Sequence, residues 1–568
     1  MSLLNLKKSI LLVSISLYGF LVYSQTQPQR NEGVIADKAM VVSARVEASQ
    51  IGTNIMKQGG NAFDAMVATE LALAVCYPFA GNIGGGGFMV FRLKDGVKGS
   101  LDYREKAPLA AYRDMYLDAD QNVIPDKSLL GANAVGVPGT IAGIFEVYEK
   151  FGSLPFATLI QPAIDLARKG YILTENDIKS FNWNREKFRK ANDYTIPFDA
   201  ELKAGDTLKL PEMASTLERI RDKGRSEFYG GMTGKLMLDY LQKLGGIMTI
   251  ADLEKYKAVW REPITFSYKN FQITSMNLPS SGGICMGQIM KSIEPYKIQK
   301  YKPNSQKYIQ LIVEAERRAY ADRAYFLGDA DFVNVPVNKL IDKNYLKQRM
   351  SDFSWKKATL SSAVSHGNVE IVESNETTHY SIIDPFGNAV SVTTTLNGAY
   401  GSKVYVPEAG FFLNNEMDDF SIKPGTPNLF GLVGAEANAV APEKRMLSSM
   451  SPTIVEENGK LKMVLGSPGG STIITSVLQN IINVIEYNMT MQESVNQPRF
   501  HHQWLPDEVT LEPNVFDDKS VSKLKKKGYK ISEKQSVILG KVDAILVKKD
   551  GKLEGGADPR GNDAAVGF

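Results

Sequence analysis

Histidine and cysteine are scarce in this 568-residue chain, with four of the first (His366, His379, His501, His502) and two of the second (Cys76, Cys285). No CxxC, HExxH or similar ligand spacing connects them, so a metal-dependent mechanism is not expected and no cofactor is implied. An excess of charge of one sign is lacking too. The 66 basic and 63 acidic residues leave a net charge of +3, which offers no argument for nucleic acid as a partner. Beyond the N-terminus no stretch approaches the ~18 uninterrupted apolar residues of a membrane-spanning helix. Obvious repeats and low-complexity linkers are missing as well.

What is there describes an ordinary globular protein. Hydrophobic residues at 43% and charged residues at 23% support a sizeable core. The length allows three or four domains, or one large α/β unit. The N-terminus reads as an address: Lys7 and Lys8 precede the apolar run Ser9 to Tyr23, and Val22-Tyr23-Ser24 offers smallish residues to a signal peptidase. Residues 1–24 are therefore expected to be a signal peptide and the product to be exported, periplasmic or secreted, with a retained N-terminal anchor as the alternative. In an oxidising compartment Cys76 and Cys285 could pair. Each sits in an apolar helix-like segment, where a buried free thiol is equally expected.

Helix and strand signals alternate along the chain. Ser43 to Lys57 has helical spacing and stops at Gly59-Gly60, where Asn61 can cap a second apolar helix running towards Pro78. Gly81 to Gly87 leads into Phe88-Met89-Val90-Phe91, a buried strand with Leu101-Asp102-Tyr103 as its hairpin partner. No Lys-Ser or Lys-Thr follows the glycines and a strand succeeds them, so they are read as close backbone packing rather than a phosphate loop. From about Gly131 to Leu360 the pattern is mostly helical, with Gln306 to Phe326 its clearest amphipathic member. Arg317, Arg318 and Arg323 on that helix are read as a solvated or ion-paired face.

The segment that points to chemistry is Glu376-Thr377-Thr378-His379-Tyr380-Ser381. A threonine hydroxyl is a weak nucleophile at neutral pH, and breaking the bond before it turns its own α-amine into the base. The same residues are also ordinary strand material. Tyr380 to Asp384 and Ala389 to Leu396 flank the turn signal Pro385-Phe386-Gly387-Asn388. In the second run Val390, Val392, Thr394 and Leu396 share one face, and Ser391, Thr393 and Thr395 the other. A three-residue loop sets Thr377 opposite Thr395, where a second hydroxyl could orient the first, whereas a two-residue loop sets Leu396 there.

Three further segments supply what acyl transfer needs. Asn414 to Ser421 concentrates carboxylates and amides suited to a cationic ammonium, with a solvated acidic turn as the other reading. Arg445 to Pro452 offers the hydroxyls of Ser448 and Ser449. Gly466 to Ser471 precedes a helix pattern through Ile473 to Tyr487, so the amides of Gly469 and Gly470 are candidates for an oxyanion hole.

With Asn61 to Ala65, Gly84 to Phe88, Asp102 to Glu105, Pro279 to Gly283, Thr377 to Ser381, Asn414 to Ser421, Leu447 to Pro452, Gly466 to Ser471, Pro498 to His502 and Asp558 to Arg560 in this order, the chain resembles the γ-glutamyltranspeptidases. These are members of the N-terminal-nucleophile hydrolase superfamily. The resemblance covers nearly everything after the expected signal peptide. It implies an α/β fold, a four-layer αββα sandwich in which two subunits from one cleaved precursor intertwine. It further implies self-cleavage between Glu376 and Thr377, giving a large subunit of residues 25–376 and a small catalytic one of 377–568.

By the same resemblance Thr377 is nucleophile and new N-terminus, supported by Thr395. Arg104 holds the substrate α-carboxylate, and Glu416, where the family often has Gln, binds the α-ammonium with Asp419. Asn397, Ser448 and Ser449 are further substrate ligands, and Gly469 with Gly470 binds the oxyanion. The implied substrates are glutathione and related γ-glutamyl compounds, with water or an amino acid or peptide amine as acceptor. Ser421 to Arg445, with Pro424, Gly425, Pro427, Gly431 and Gly434, resembles a substrate-covering loop with Phe430 and Leu432 as lid residues, which favours small substrates over polymers. A cephalosporin acylase-like amidase and a non-catalytic exported binding protein are the competing expectations.

Overall fold

The computed structural model describes residues 31–365, 377–426, 434–532 and 538–568. The expected signal peptide and Glu376 fall outside these residues, as do Pro427, Phe430, Gly431 and Leu432 of the lid segment. Two seven-stranded antiparallel sheets form the centre. One runs in the order Ala564–Gly567, Met40–Ser43, Thr378–Ile383, Ala389–Thr395, Gly86–Arg92, Lys98–Asp102 and Val259–Arg261. The other runs Val34–Ala36, Leu553–Gly556, Asp543–Val547, Lys460–Gly466, Thr453–Glu457, Phe271–Ser275 and Ile264–Tyr268.

Alternation along the strands decides which face meets what. Val390 and Val392 join Tyr380 and Ile382 in a core with Met66, Val67 and Leu71 of the helix Ala62–Cys76. Phe88, Val90, Met40 and Val42 turn the other way and pack with Ile454, Val464 and Ile545 of the second sheet. The helices Gly282–Ile293, Gln306–Phe326 and Thr472–Tyr487 complete that second core. The result is the four-layer αββα sandwich that was expected. Both sheets mix strands from before and after Thr377, since Thr378–Ile383 pairs with Met40–Ser43 and Thr453–Glu457 pairs with Phe271–Ser275. The length thus builds one intertwined unit, not several separate domains.

Local signals hold where the backbone needs them. Asn61 Oδ1 accepts from the amides of Phe63 (2.8 Å) and Asp64 (3.0 Å), and Asp64 Oδ2 accepts from Asn61 N at 2.9 Å, a reciprocal cap worth about 1 kcal/mol. At Gly84 a Cβ would lie 2.2 Å from the Phe412 carbonyl, and at Gly85 2.1 Å from that of Thr395, so these glycines serve close backbone approach. Cys76 and Cys285 are buried free thiols in different helices.

Of the two readings of the arginine face, solvated or ion-paired, the second holds for Arg317 and Arg318, because the helix Gln306–Phe326 is buried almost all round. Arg317 pairs with Asp507, and Arg318 with Glu314 at 2.8 Å and Asp352 at 2.6 Å. Arg323 points elsewhere, because six residues at about 100° each place it roughly 120° around the helix from Arg317.

Candidate active site

The hairpin carries the three-residue loop. Ile383 opposes Ala389 and Thr378 opposes Thr394, and Asp384 N donates to Asn388 O at 3.1 Å across Pro385–Gly387. Asp384 Oδ1 accepts from the amides of Phe386 (2.9 Å) and Asn388 (2.8 Å), which locks the turn and hence the register. Continued by one residue, that register sets Thr377 against Thr395. Both are buried and line one cavity with Arg104, Asn397, Glu416, Asp419, Ser448, Ser449 and Gly470. Gly469 lines a second cavity that also reaches Thr377. All the described residues expected at the site therefore gather around Thr377.

Thr395 Oγ1 accepts from Asn397 N at 2.7 Å, and Asn397, with φ of 72°, sends its Nδ2 to the Asn415 carbonyl at 3.0 Å. The acidic loop is held from behind. Asn414 Nδ2 donates to the carbonyls of Gly84 (2.9 Å) and Gly136 (2.8 Å), which turns Glu416 and Asp419 to the cavity. Asp418 takes the Ser128 hydroxyl at 2.7 Å instead. Gly469 and Gly470 adopt φ of 130° and 53° at the start of the helix Thr472–Tyr487. A Cβ on Gly469 would meet Thr472 Oγ1 at 2.6 Å, so the turn takes glycine.

Electrostatics concentrates at Arg104, whose guanidinium bonds both Glu416 and Asp419 while its Nε donates to the Met446 carbonyl at 3.3 Å. Burial pushes Glu416 well above the ordinary carboxylate range against the pull of Arg104, and it raises Asp419 as well. Asp102, two residues before Arg104, accepts from Arg104 N at 3.0 Å and pairs with Arg261 at 2.7 Å and Arg445 at 3.2 Å. The segment Asp102 to Glu105 is thereby anchored through Asp102, just before the cation.

Arg323 is a site residue that sequence reasoning missed. It lines the cavity, donates from Nε to Ser281 Oγ at 2.8 Å and from Nη2 to Ser449 Oγ at 3.1 Å, and is buried. Its angular offset from Arg317 is the signal that separates it. Ser281 in turn donates from Oγ and N to the Ser448 carbonyl at 2.7 and 2.8 Å, and a Cβ on Gly282 would lie 2.0 Å from Ser451 Oγ. The Pro279 to Gly283 segment is therefore the support of the serine loop.

His379, next but one to Thr377, faces between the sheets. Its nitrogens meet Thr393 Oγ1 and Ser381 Oγ at 3.0 Å each, and burial lowers its pKa to about 3, so it is neutral and turned away from the cavity. The Pro498 to His502 and Asp558 to Arg560 segments join each other, Arg499 Nη2 meeting Asp558 Oδ2 at 2.7 Å.

The sequence model of the γ-glutamyltranspeptidase family matches residues 48–568. The chain belongs to the γ-glutamyltranspeptidase family. It is similar to a glutathione hydrolase proenzyme of Escherichia coli K12, at 46% identity over 94% of this chain and 93% of the relative. The solved γ-glutamyltranspeptidase of Helicobacter pylori is 41% identical, with a TM-score of 0.56 over 57% of this chain and 94% of that one. A cephalosporin acylase from Bacillus halodurans superposes with a TM-score of 0.82 over 97% of this chain and 99% of its own, at 23% identity, which is a likeness of fold. Within the family fold, the geometry around Thr377 can do three things. It can grip a zwitterionic head group, present a hydroxyl, and offer amide donors to an oxyanion.

Proposed function

We propose that Thr377, freed as an N-terminus by cleavage of the Glu376–Thr377 bond, attacks the γ-glutamyl amide of glutathione and related compounds. The observation that carries this reading is the sharing of one cavity by Thr377 with Arg104, Glu416 and Asp419. A peptide nitrogen cannot act as base, whereas a free α-amine has a reference pKa of about 8 and takes the hydroxyl proton. Cleavage is thus the activating step, and it leaves residues 25–376 and 377–568 as two subunits of a heterodimer interleaved in both sheets.

The substrate's α-carboxylate goes to Arg104 and its α-ammonium to Glu416 and Asp419, with Asn397, Ser448 and Ser449 as further ligands. The substrate brings the two charges that Arg104 and its acids otherwise find in one another. An acyl group lacking either charge leaves a buried partner unmatched, which is what sets a γ-glutamyl head apart from a glutaryl one. Attack gives a tetrahedral oxyanion received by the amides of Gly469 and Gly470. Its collapse expels the amine and leaves a γ-glutamyl-Thr377 ester, which water hydrolyses or a second amine takes up. Lys7, Lys8 and the apolar run to Tyr23 support export of this enzyme to the periplasm or beyond.

N-terminal sequencing of the purified protein beside a Thr377→Ala variant tests the reading. A fragment beginning at Thr377 is expected in the first and none in the second. Cutting elsewhere, or equal cutting in both, overturns it. Faster turnover of glutaryl than of γ-glutamyl amides would favour the acylase alternative instead.

A further inference from the structure

The head-group cavity holds a second cation besides Arg104. Arg323 is 4% exposed, and two of its three guanidinium nitrogens are engaged by neutral hydroxyls, Nε with Ser281 Oγ at 2.8 Å and Nη2 with Ser449 Oγ at 3.1 Å. Among the described residues it forms no ion pair with a carboxylate, and its Nη1 has no hydrogen-bond partner. Arg317 and Arg318 on the same helix each meet an acid. A charge buried without a counter-charge is costly, so an exception inside a cavity calls for a reason. Burial lowers the Arg323 pKa, and the carboxylate whose charge works against that lowering, Asp419, is already bonded by Arg104.

The wall of the cavity thus carries two cations, Arg104 and Arg323, and two acids, Glu416 and Asp419. Arg104 takes both acids, which leaves Arg323 as the member without a match. An amino-acid head group brings one ammonium and one carboxylate, so it keeps the count even while supplying the anion that Arg323 lacks. The neighbouring hydroxyls suit the same anion. Ser449 Oγ accepts from Arg323 and Ser448 Oγ accepts from Met450 N at 3.1 Å, which leaves the proton of each to donate. Arg323 and these two serines form one group of donors without an acceptor among the described residues.

We propose that Arg323 is a second cationic ligand of the substrate α-carboxylate, its Nη1 bonding the carboxylate while its Nη2 holds Ser449 Oγ so that the serine proton does the same. The proposal rests on the reading of the cavity as a γ-glutamyl site. It gives the two arginines different tasks. Arg104 also ties the acids that receive the ammonium, whereas Arg323 answers to the carboxylate alone. Loss of Arg323 is therefore selective: it penalises acyl groups that carry the α-carboxylate and spares those that do not.

The test compares three p-nitroanilides as donors. They are the γ-glutamyl compound, the 4-aminobutyryl one, which lacks only the α-carboxylate, and the glutaryl one, which lacks only the α-ammonium. In Arg323→Gln the γ-glutamyl to 4-aminobutyryl ratio of kcat/KM is expected to fall about tenfold, with the γ-glutamyl to glutaryl ratio within about threefold of wild type. Arg323→Lys keeps the charge and is expected to retain most of the first ratio. Ratios taken within one variant do not depend on how much of it folds and matures. For a variant too slow to assay, the excess protection against thermal unfolding by L-glutamate over 4-aminobutyrate reads the same discrimination. An unchanged first ratio in Arg323→Gln, an equal fall of both ratios, or a lysine variant no better than the glutamine one overturns the proposal. No anilide release from the γ-glutamyl compound by the wild type overturns the γ-glutamyl reading itself.

Discussion

Arg104 bonds Glu416 and Asp419 through two different guanidinium nitrogens, joining residues 312 and 315 positions apart in one buried charge cluster at the cavity wall. A planar fork reaches the two carboxylates from two separate nitrogens, whereas an ammonium has to reach both from one atom. Arg104→Lys is therefore expected to lower kcat/KM on γ-glutamyl-p-nitroanilide by about 100-fold and to destabilise the fold, because one buried carboxylate loses its partner. Steady-state kinetics with thermal unfolding checks both, and wild-type values in the lysine variant would remove the cluster from substrate binding.

Thr395 is tied to Asn397 by a buried hydrogen bond, so Thr395→Val removes a hydroxyl beside Thr377 and strands an amide at a cost of about 1–3 kcal/mol. Slower appearance of the two subunits on a denaturing gel is the expected outcome, together with reduced turnover of whatever is processed. Normal processing in this variant would make the Thr377–Thr395 pair ordinary sheet chemistry.

Gly469 stands at φ of 130° with Thr472 Oγ1 closing the space for a side chain. Gly469→Ala must move the amide that the oxyanion is proposed to use, which predicts a fall in kcat of about 10²–10³-fold. Circular dichroism should show the fold retained, and a kcat within a few-fold of wild type would exclude these amides from the reaction.

Arg323 lines the cavity and donates to Ser449 there. With Arg323→Ala, the KM for γ-glutamyl donors is expected to rise about tenfold with a smaller change in kcat, as for lost uniform binding. A large drop in kcat at constant KM would argue that Arg323 acts on the transition state instead.

His379 predicts a pH effect on stability. Burial lowers its pKa to about 3, so below the unfolded value near 6.5 the unfolded chain binds the extra proton. Its neutral folded form is favourable above about 6.5, and that contribution is lost as pH falls towards 3, by up to about 1.4 kcal/mol per pH unit. Urea unfolding at pH 7 and pH 5 should show a smaller difference for His379→Gln than for the wild type. Equal differences would place the acid sensitivity elsewhere, His502 being the next candidate since burial lowers it to about 4.

Much of this site was legible as local pattern. The Asn61 cap, the alternation from Ala389 to Thr395 and the glycines from Gly84 to Gly87 all follow from rules spanning a few residues. Residue pattern alone leaves the hairpin register open, the family resemblance at Thr395 favours the three-residue loop, and the Asp384 carboxylate closes that loop on Phe386 and Asn388. Among neighbouring acids, nothing local separates Asp418, which meets Ser128, from Asp419, which meets Arg104. On the arginine helix the period is visible while the neighbours are not: Arg317 and Arg318 meet carboxylates, and only the packing of the layers brings Arg323 to Ser449.

By itself the sequence determined the elements, the order of the motifs and the candidate nucleophile, because turn chemistry and side-chain periodicity act over a few residues. The tertiary structure alone decided which charges face one another across 312 residues and that Arg323 belongs to the site. It also decided that a second cavity opens beside Thr377. Those relationships depend on how two sheets stack and which strands they borrow from each half of the chain, and no local interaction encodes that distance.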